Sequence, residues 1–136
     1  MSASAIQKIF SQYAQYIDEA RFELLSNLFA EDGVLMLEPY GVKAVGPKAI
    51  RAKYTEMADP KIKGVHAIFN HIIDVDGQGE GTSAHAAADA TYIDITQGQP
   101  RLMVLARYNS RFARIGGDWK IKEWNITVKA SAFGST

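Results

Sequence analysis

Residues 64–75, GVHAIFNHIIDV, are the first of four long β-type runs, and their reading decides the fold. Valine, isoleucine and phenylalanine dominate the stretch, as in a strand with one face against a core. Three more runs follow, Thr82 to Ile95, Arg101 to Ala113 and Asp118 to Lys129. Their connections are short. Asp76-Gly77-Gln78-Gly79-Glu80-Gly81 reads as a flexible turn and Thr96 to Pro100 as another, while Gly116-Gly117 can take the positive φ angles of a tight hairpin. Three antiparallel hairpins in series make a meander.

Upstream of residue 64 the apolar period changes from 2 to 3.6. Ile6, Ile9, Phe10, Tyr13, Tyr16 and Ile17 predict a helix from Ala5 to Ile17, with Ser2 or Ser4 available as cap. Phe22, Leu25, Leu28 and Phe29 predict a second helix from Arg21 to Ala30, stopped by Glu31-Asp32-Gly33 and joined to the first as a hairpin near Asp18. Val34 to Leu37 reads as a short strand, Glu38-Pro39-Tyr40-Gly41 as a turn and Val42 to Val45 as the strand's continuation. Pro47 starts a third helix over Lys48 to Met57, and Asp59-Pro60 ends it. Helices first and a long sheet last define an α+β class in which three N-terminal helices pack on one face of a curved, mostly antiparallel sheet. A pocket can form between the two layers.

The chain has 136 residues, 47% hydrophobic and 22% charged, which fits one domain spanning 1–136 and excludes intrinsic disorder. Fifteen basic residues balance fifteen acidic ones, so no net field favours nucleic acid or an anionic membrane. The absence of cysteine removes disulfides, thiolate zinc sites, iron–sulfur clusters and thiol nucleophiles together. Met1 to Phe10 lacks the basic start and continuous apolar run of a signal peptide, so the expectation is a soluble cytoplasmic protein. The exposed strands of an open sheet need covering, which leads to an expected homo-oligomer, dimer or trimer.

Few ionisable groups fall in apolar surroundings, where titration is most readily perturbed. Tyr13 lies on the stripe of the first helix and Asp18 follows five residues later at the helix hairpin, so both can face the sheet. Asp18 also suits an N-cap of the second helix, and Tyr13 a core residue with its hydroxyl satisfied. Strand alternation puts His66, Ile68, Asn70 and Ile72 on one face and Ala67, Phe69, His71 and Ile73 on the other. An imidazole at His66 is either a hydrogen-bonded interior group or a base suited to neutral pH. In the next strand Ser83, His85, Ala87, Asp89 and Thr91 share one face. Ala84, Ala86, Ala88, Ala90 and Tyr92 share the other. Alanines beside an acid leave room for a ligand or for close helix packing.

A metal site is not expected, because alternation points His71 away from His66 and no His-Glu pair has helical ligand spacing. Gly77, Gly79 and Gly81 lack the following helix that a phosphate-binding loop needs. Arg101, Arg107, Arg111 and Arg114 read as a solvated sheet face, with Arg107 and Asn109 open as polar pocket contacts.

Four words carry a resemblance: Tyr13-Ala14-Gln15-Tyr16-Ile17-Asp18, Leu28-Phe29-Ala30-Glu31-Asp32-Gly33, His66-Ala67-Ile68-Phe69-Asn70 and Gly117-Asp118-Trp119-Lys120-Ile121. Together they resemble the SnoaL-like branch of the NTF2-like superfamily, which implies a cone-shaped α+β fold over nearly the whole chain. Within it the pattern is similar to the scytalone dehydratase, bile acid dehydratase and dehydrochlorinase group. That likeness implies a cofactor-free lyase with His66 as base, Asp18 as its orienting acid, Tyr13 as hydrogen-bond donor and Asp89 assisting the leaving group. The bile acid enzyme's C-terminal basic residue has only Lys129 as a counterpart by approximate position. The substrate expected is a hydrophobic cyclic small molecule in a pocket of Phe10, Tyr16, Phe29, Ile68 and Trp124. The segment Leu37-Glu38-Pro39-Tyr40-Gly41 also resembles that bearing the catalytic carboxylate of ketosteroid isomerase, which implies an alternative with Glu38 and Tyr13. Its second acid would fall near Ala106, which has no hydrogen-bond donor in its side chain. A third alternative is a non-catalytic binding or assembly domain.

Overall fold

The computed structural model of the chain describes residues 2–77 and 82–133. Its first helix, α1 (Ser2–Asp18), buries Ile6, Ile9, Phe10, Tyr13 and Ala14 along one stripe. A five-residue helix, α2 (Phe22–Ser26), leads into β1 (Phe29–Glu38), which turns back as β2 (Val42–Val45). Pro47 opens α3 (Pro47–Met57), where its fixed φ and missing N–H cost nothing. The meander follows as β3 (Gly64–Val75), β4 (Ser83–Asp94), β5 (Arg101–Ile115) and β6 (Asp118–Ser131). Gly116 and Gly117 take φ of 59° and 89° at the last turn, as expected there. Of the turn at Asp76–Gly81, residues 78–81, with Gly79 and Gly81, lie outside the described residues.

The six strands form one sheet in the order β2-β1-β6-β5-β4-β3. β1 runs parallel to β6, and the remaining pairs are antiparallel. The class is therefore α+β with a mixed, open sheet, and the helices cover one face. Aromatic rings fill its closed end, where Trp124 stands 5.0 Å from Phe10 and 4.7 Å from Tyr13, centroid to centroid. No described helix is long and apolar enough to cross a membrane.

Two local expectations are overturned. The second helix stops at Ser26, and Phe29 to Asp32 belong to β1. The Leu28 carbonyl accepts the Ile121 N–H at 2.9 Å and Phe29 pairs with Ile121, so pairing with β6 claims the backbone groups that another helical turn would use. In β3 the strict alternation fails after Phe69. Asn70 adopts φ 57°, and the register to β4 jumps between Phe69 and Ile72, which is a bulge of one extra residue. Beyond it His71 and Ile73 turn to the helix-covered side and Ile72 outward, so His66 and His71 share a face after all. Asparagine tolerates the left-handed conformation better than most residues, which suits it to this position.

Candidate active site

Asp18 is the last residue of α1. The helix ends in a double hydrogen-bonded cap, with the Ala20 N–H on the Ile17 carbonyl at 3.2 Å and the Arg21 N–H on the Tyr16 carbonyl at 2.8 Å. Ala20 takes the left-handed position at φ 56°. A carboxylate at a helix C-terminus faces the negative end of the macrodipole, an unfavourable placement by about 0.3–1 kcal/mol. Its compensation comes from the sheet. The backbone N–H of His66 donates to both Asp18 oxygens at 3.0 and 3.1 Å, and His66 Nδ1 lies 2.6 Å from Oδ1. The N-cap role for Asp18 is thereby replaced, since the N-cap of α2 is Arg21, with no side-chain cap hydrogen bond.

An ionised carboxylate can only accept, so in that state Nδ1 of His66 donates to Asp18 and Nε2, which has no hydrogen-bond partner among the described residues, is the nitrogen left to act as a base. Both side chains are about four-fifths buried, with 21% and 17% of their surface exposed. The pair stands in the wall of a cavity of about 800 Å³ that Tyr13 also lines, within the range of small-molecule sites. Three of the four expected catalytic residues are thus brought to one hollow.

At the inner end of the cavity Tyr13 and Tyr54 share a hydrogen bond of 2.5 Å between hydroxyls, and Tyr108 packs edge-on at 5.9 Å from the Tyr13 ring. Burial pushes all three phenols up, most of the effect being lost hydration, with neighbouring hydroxyls adding to it at Tyr13 and Tyr108. They stay neutral donors at any physiological pH. Ala90 and Ala106 form apolar wall beside them. Ala58, Asp59, Pro60, Ile62 and Lys63 also line the cavity together with Ile95 after β4, and the two segments are tied by Ile95 N–H on the Lys63 carbonyl at 2.8 Å and Lys63 N–H on Thr96 Oγ1 at 2.9 Å.

Asp89 is a correction. It lies on the other side of the sheet, paired in register with Phe69 and Arg107, and Arg107 Nε donates to its Oδ1 at 2.5 Å. Asn70 Nδ2 donates to Oδ2 at 3.0 Å. These two bonds hold the Asp89 carboxyl below the usual carboxylate range, the opposite of a protonated acid in an apolar niche. The alternation of β4 already separates it from the alanines, which face the core and cavity. Arg107 goes with it to the outer face. Lys129 follows cavity-lining Val128 and acts electrostatically on Asp89, so it brings no positive charge to the cavity.

The expected lining also moves. Phe10, Phe29 and Trp124 are buried in the closed aromatic end of the core, and Tyr16 and Ile68 are half-buried beside that core. None of the five borders the cavity. Glu38 falls outside as well, because Leu37 before it points inward. Tyr54, Tyr92 and Tyr108 border it instead and were missed. For Tyr92 a signal existed, since it shares the alanine face of β4 and pairs with His66.

His71 packs its ring 4.9 Å from Phe10 and meets Gln7 Nε2 at 3.3 Å, and burial lowers its pKa. Among the described residues no three His, Asp or Glu side chains are grouped to hold a metal ion.

Residues 2–125 match the SnoaL-like domain family. No curated protein matches the chain. Among solved structures, a Mycobacterium tuberculosis protein of unknown function superposes with TM-score 0.83 at 20% identity, over 96% of this chain and 73% of that one. A proposed scytalone dehydratase from Novosphingobium aromaticivorans DSM 12444 gives 0.80 at 19%, over 99% and 89%. ActVI-ORFA from Streptomyces coelicolor gives 0.81 at 16%, over 93% and 96%. At these identities the likeness concerns the fold.

Proposed function

The chain belongs to the SnoaL-like family, and from that premise we propose that it is a cofactor-independent lyase of the dehydratase type acting on a hydrophobic cyclic molecule. The observation that carries this reading is the Asp18–His66 contact of 2.6 Å in the wall of an otherwise largely apolar cavity. His66 Nε2 takes a proton from a carbon beside a carbonyl, and Asp18 stabilises the imidazolium that results. Tyr13, with Tyr54 behind it, donates a hydrogen bond to the developing enolate oxygen. The electron pair then expels a hydroxyl at the adjacent carbon, which leaves as water with the proton from His66, and a double bond remains. A halide would leave as the anion instead, and the proton held by His66 would then pass to solvent water.

Positioned proton transfer supplies about 10²- to 10⁴-fold; orientation of the bound substrate supplies more. The test is a panel of neutral cyclic β-hydroxy ketones in deuterium oxide, followed by the absorbance of the conjugated product and by deuterium uptake at the α-carbon. His66→Ala should abolish both while the protein stays folded. Deuterium uptake that survives His66→Ala, or saturable binding without exchange or product, would overturn the assignment. The isomerase alternative needs Glu38 as base, and Glu38 lies outside the cavity.

A further inference from the structure

Tyr92 stands opposite His66 in the β3–β4 register, their ring centroids 4.8 Å apart at 52°. Its far end lies across Gly64, two residues before the histidine. A Cβ on Gly64 would come within 2.2 Å of the Tyr92 hydroxyl oxygen and 2.3 Å of Cζ, with the Ile93 carbonyl oxygen 2.6 Å away. Gly64 is not among the residues of positive φ. Its lack of a side chain therefore serves space, not backbone conformation, and the space is filled by the phenol ring. Phe133 packs its ring 6.0 Å from that of Tyr92, centroid to centroid. Among the described residues nothing hydrogen-bonds the Tyr92 hydroxyl, so the ring is held by shape alone.

We infer that Tyr92, seated in the notch left by Gly64, is a positioning residue that fixes the His66 imidazole so that Nε2 points into the cavity. The hydrogen bond to Asp18 restrains the imidazole through one atom, Nδ1, and leaves the ring able to swing by concerted changes of χ1 and χ2. A ring packed against the imidazole removes that freedom, which is the difference between a base near its substrate and one aligned with it. Burial keeps the Tyr92 phenol neutral, with Asp94 and Asp18 acting in the same direction, so it adds no charge beside the imidazole. The inference rests on His66 being the base of the proposed reaction, yet its central claim concerns the imidazole itself.

The experiment is nitrogen-15 NMR of the histidine rings in the full-length protein without substrate. In the wild type His66 should show one tautomer, protonated at Nδ1. Tyr92→Leu and Gly64→Ala should each give averaged or doubled His66 signals, and Tyr92→Phe, which keeps the ring, should restore the single form. Gly64→Ala combined with Tyr92→Leu should be no worse than Tyr92→Leu alone, because the clashing partner is gone. If Gly64→Ala is just as disruptive in that background, the Ile93 carbonyl is the cause and the notch has no role. Unchanged His66 signals in Tyr92→Leu overturn the inference outright. Where turnover is measurable, Tyr92→Leu should lower kcat by about tenfold to a hundredfold with less change in KM. Coupling seen by NMR in a protein without lyase activity would defeat the functional reading and leave this one standing. Turnover that depends on His66 but ignores Tyr92 would do the reverse.

Discussion

Replacing Asp18 with asparagine keeps the shape of the side chain and removes its charge, which makes it the sharpest probe of the site. In the native protein the carboxylate accepts from His66 Nδ1 at 2.6 Å and from the His66 backbone N–H at 3.0 and 3.1 Å. Asparagine has one accepting oxygen and one donating amide for those contacts. Either the amide nitrogen faces Nδ1 and forces the proton to Nε2, or the oxygen faces it and the amide opposes the backbone N–H. The first arrangement removes the base and the second leaves the imidazolium without a counter-charge. A hydrogen bond to a charged group contributes about 1.5–3 kcal/mol and a neutral one about 0.5–1.5. The pair keeps about a fifth of its surface in water, so we take the lower end and expect a loss near 1 kcal/mol. For a domain of this size that is about 4 °C in Tm. A rate loss of about 10³-fold corresponds to roughly 4 kcal/mol on the barrier. Urea unfolding followed by tryptophan fluorescence, set against α-carbon deuterium exchange, reads both. Activity that falls only as far as the folded fraction, or Asp18→Asn turning over at the native rate, would refute the base–acid pair.

Four further outcomes follow from the same geometry. Tyr54→Phe leaves the buried Tyr13 hydroxyl without its 2.5 Å partner and should cost about 1–3 kcal/mol in urea unfolding. The phenols of Tyr13, Tyr54 and Tyr108 are raised in the folded state, so raising the pH above the ordinary tyrosine value of about 10 ionises them first in the unfolded chain and destabilises the fold. Absorbance at alkaline pH should then show no more than three of the six tyrosines titrating reversibly before unfolding. The Asp89 carboxyl is lowered by Arg107 and Asn70, so its stabilisation is full above the ordinary carboxylate pKa and fades as pH falls through the folded value. Asp89→Asn should accordingly lose stability at pH 7, match wild type at strongly acidic pH, and leave turnover alone. Glu38→Gln should also leave turnover intact, and a dead Glu38→Gln enzyme would move the assignment to the isomerase.

The order of elements and the α+β class were legible in the sequence because the two periods, 3.6 and 2, are local properties of the chain. So was the core of the site. Tyr13 and Asp18 ride on α1, and His66 lies four residues ahead of the left-handed Asn70 in β3, where alternation still holds. What the linear pattern left open is what depends on partners distant in sequence. The short α2 is set by backbone pairing of Leu28 and Phe29 with Ile121, and the side on which His71 stands is set by one left-handed residue at Asn70. Alternation separates the two faces of β4 and sends Asp89 away from the alanines, but only the assembled sheet says which face is closed by α1. The division of that inner face into core and cavity is likewise a matter of volume. Aromatic side chains meet at one end and fill it, while Ala90 and Ala106 at the other leave the space that His66, Asp18 and four tyrosines border. Periodicity assigns a residue to a face. Only the summed shapes of its neighbours decide whether that face is packed or hollow.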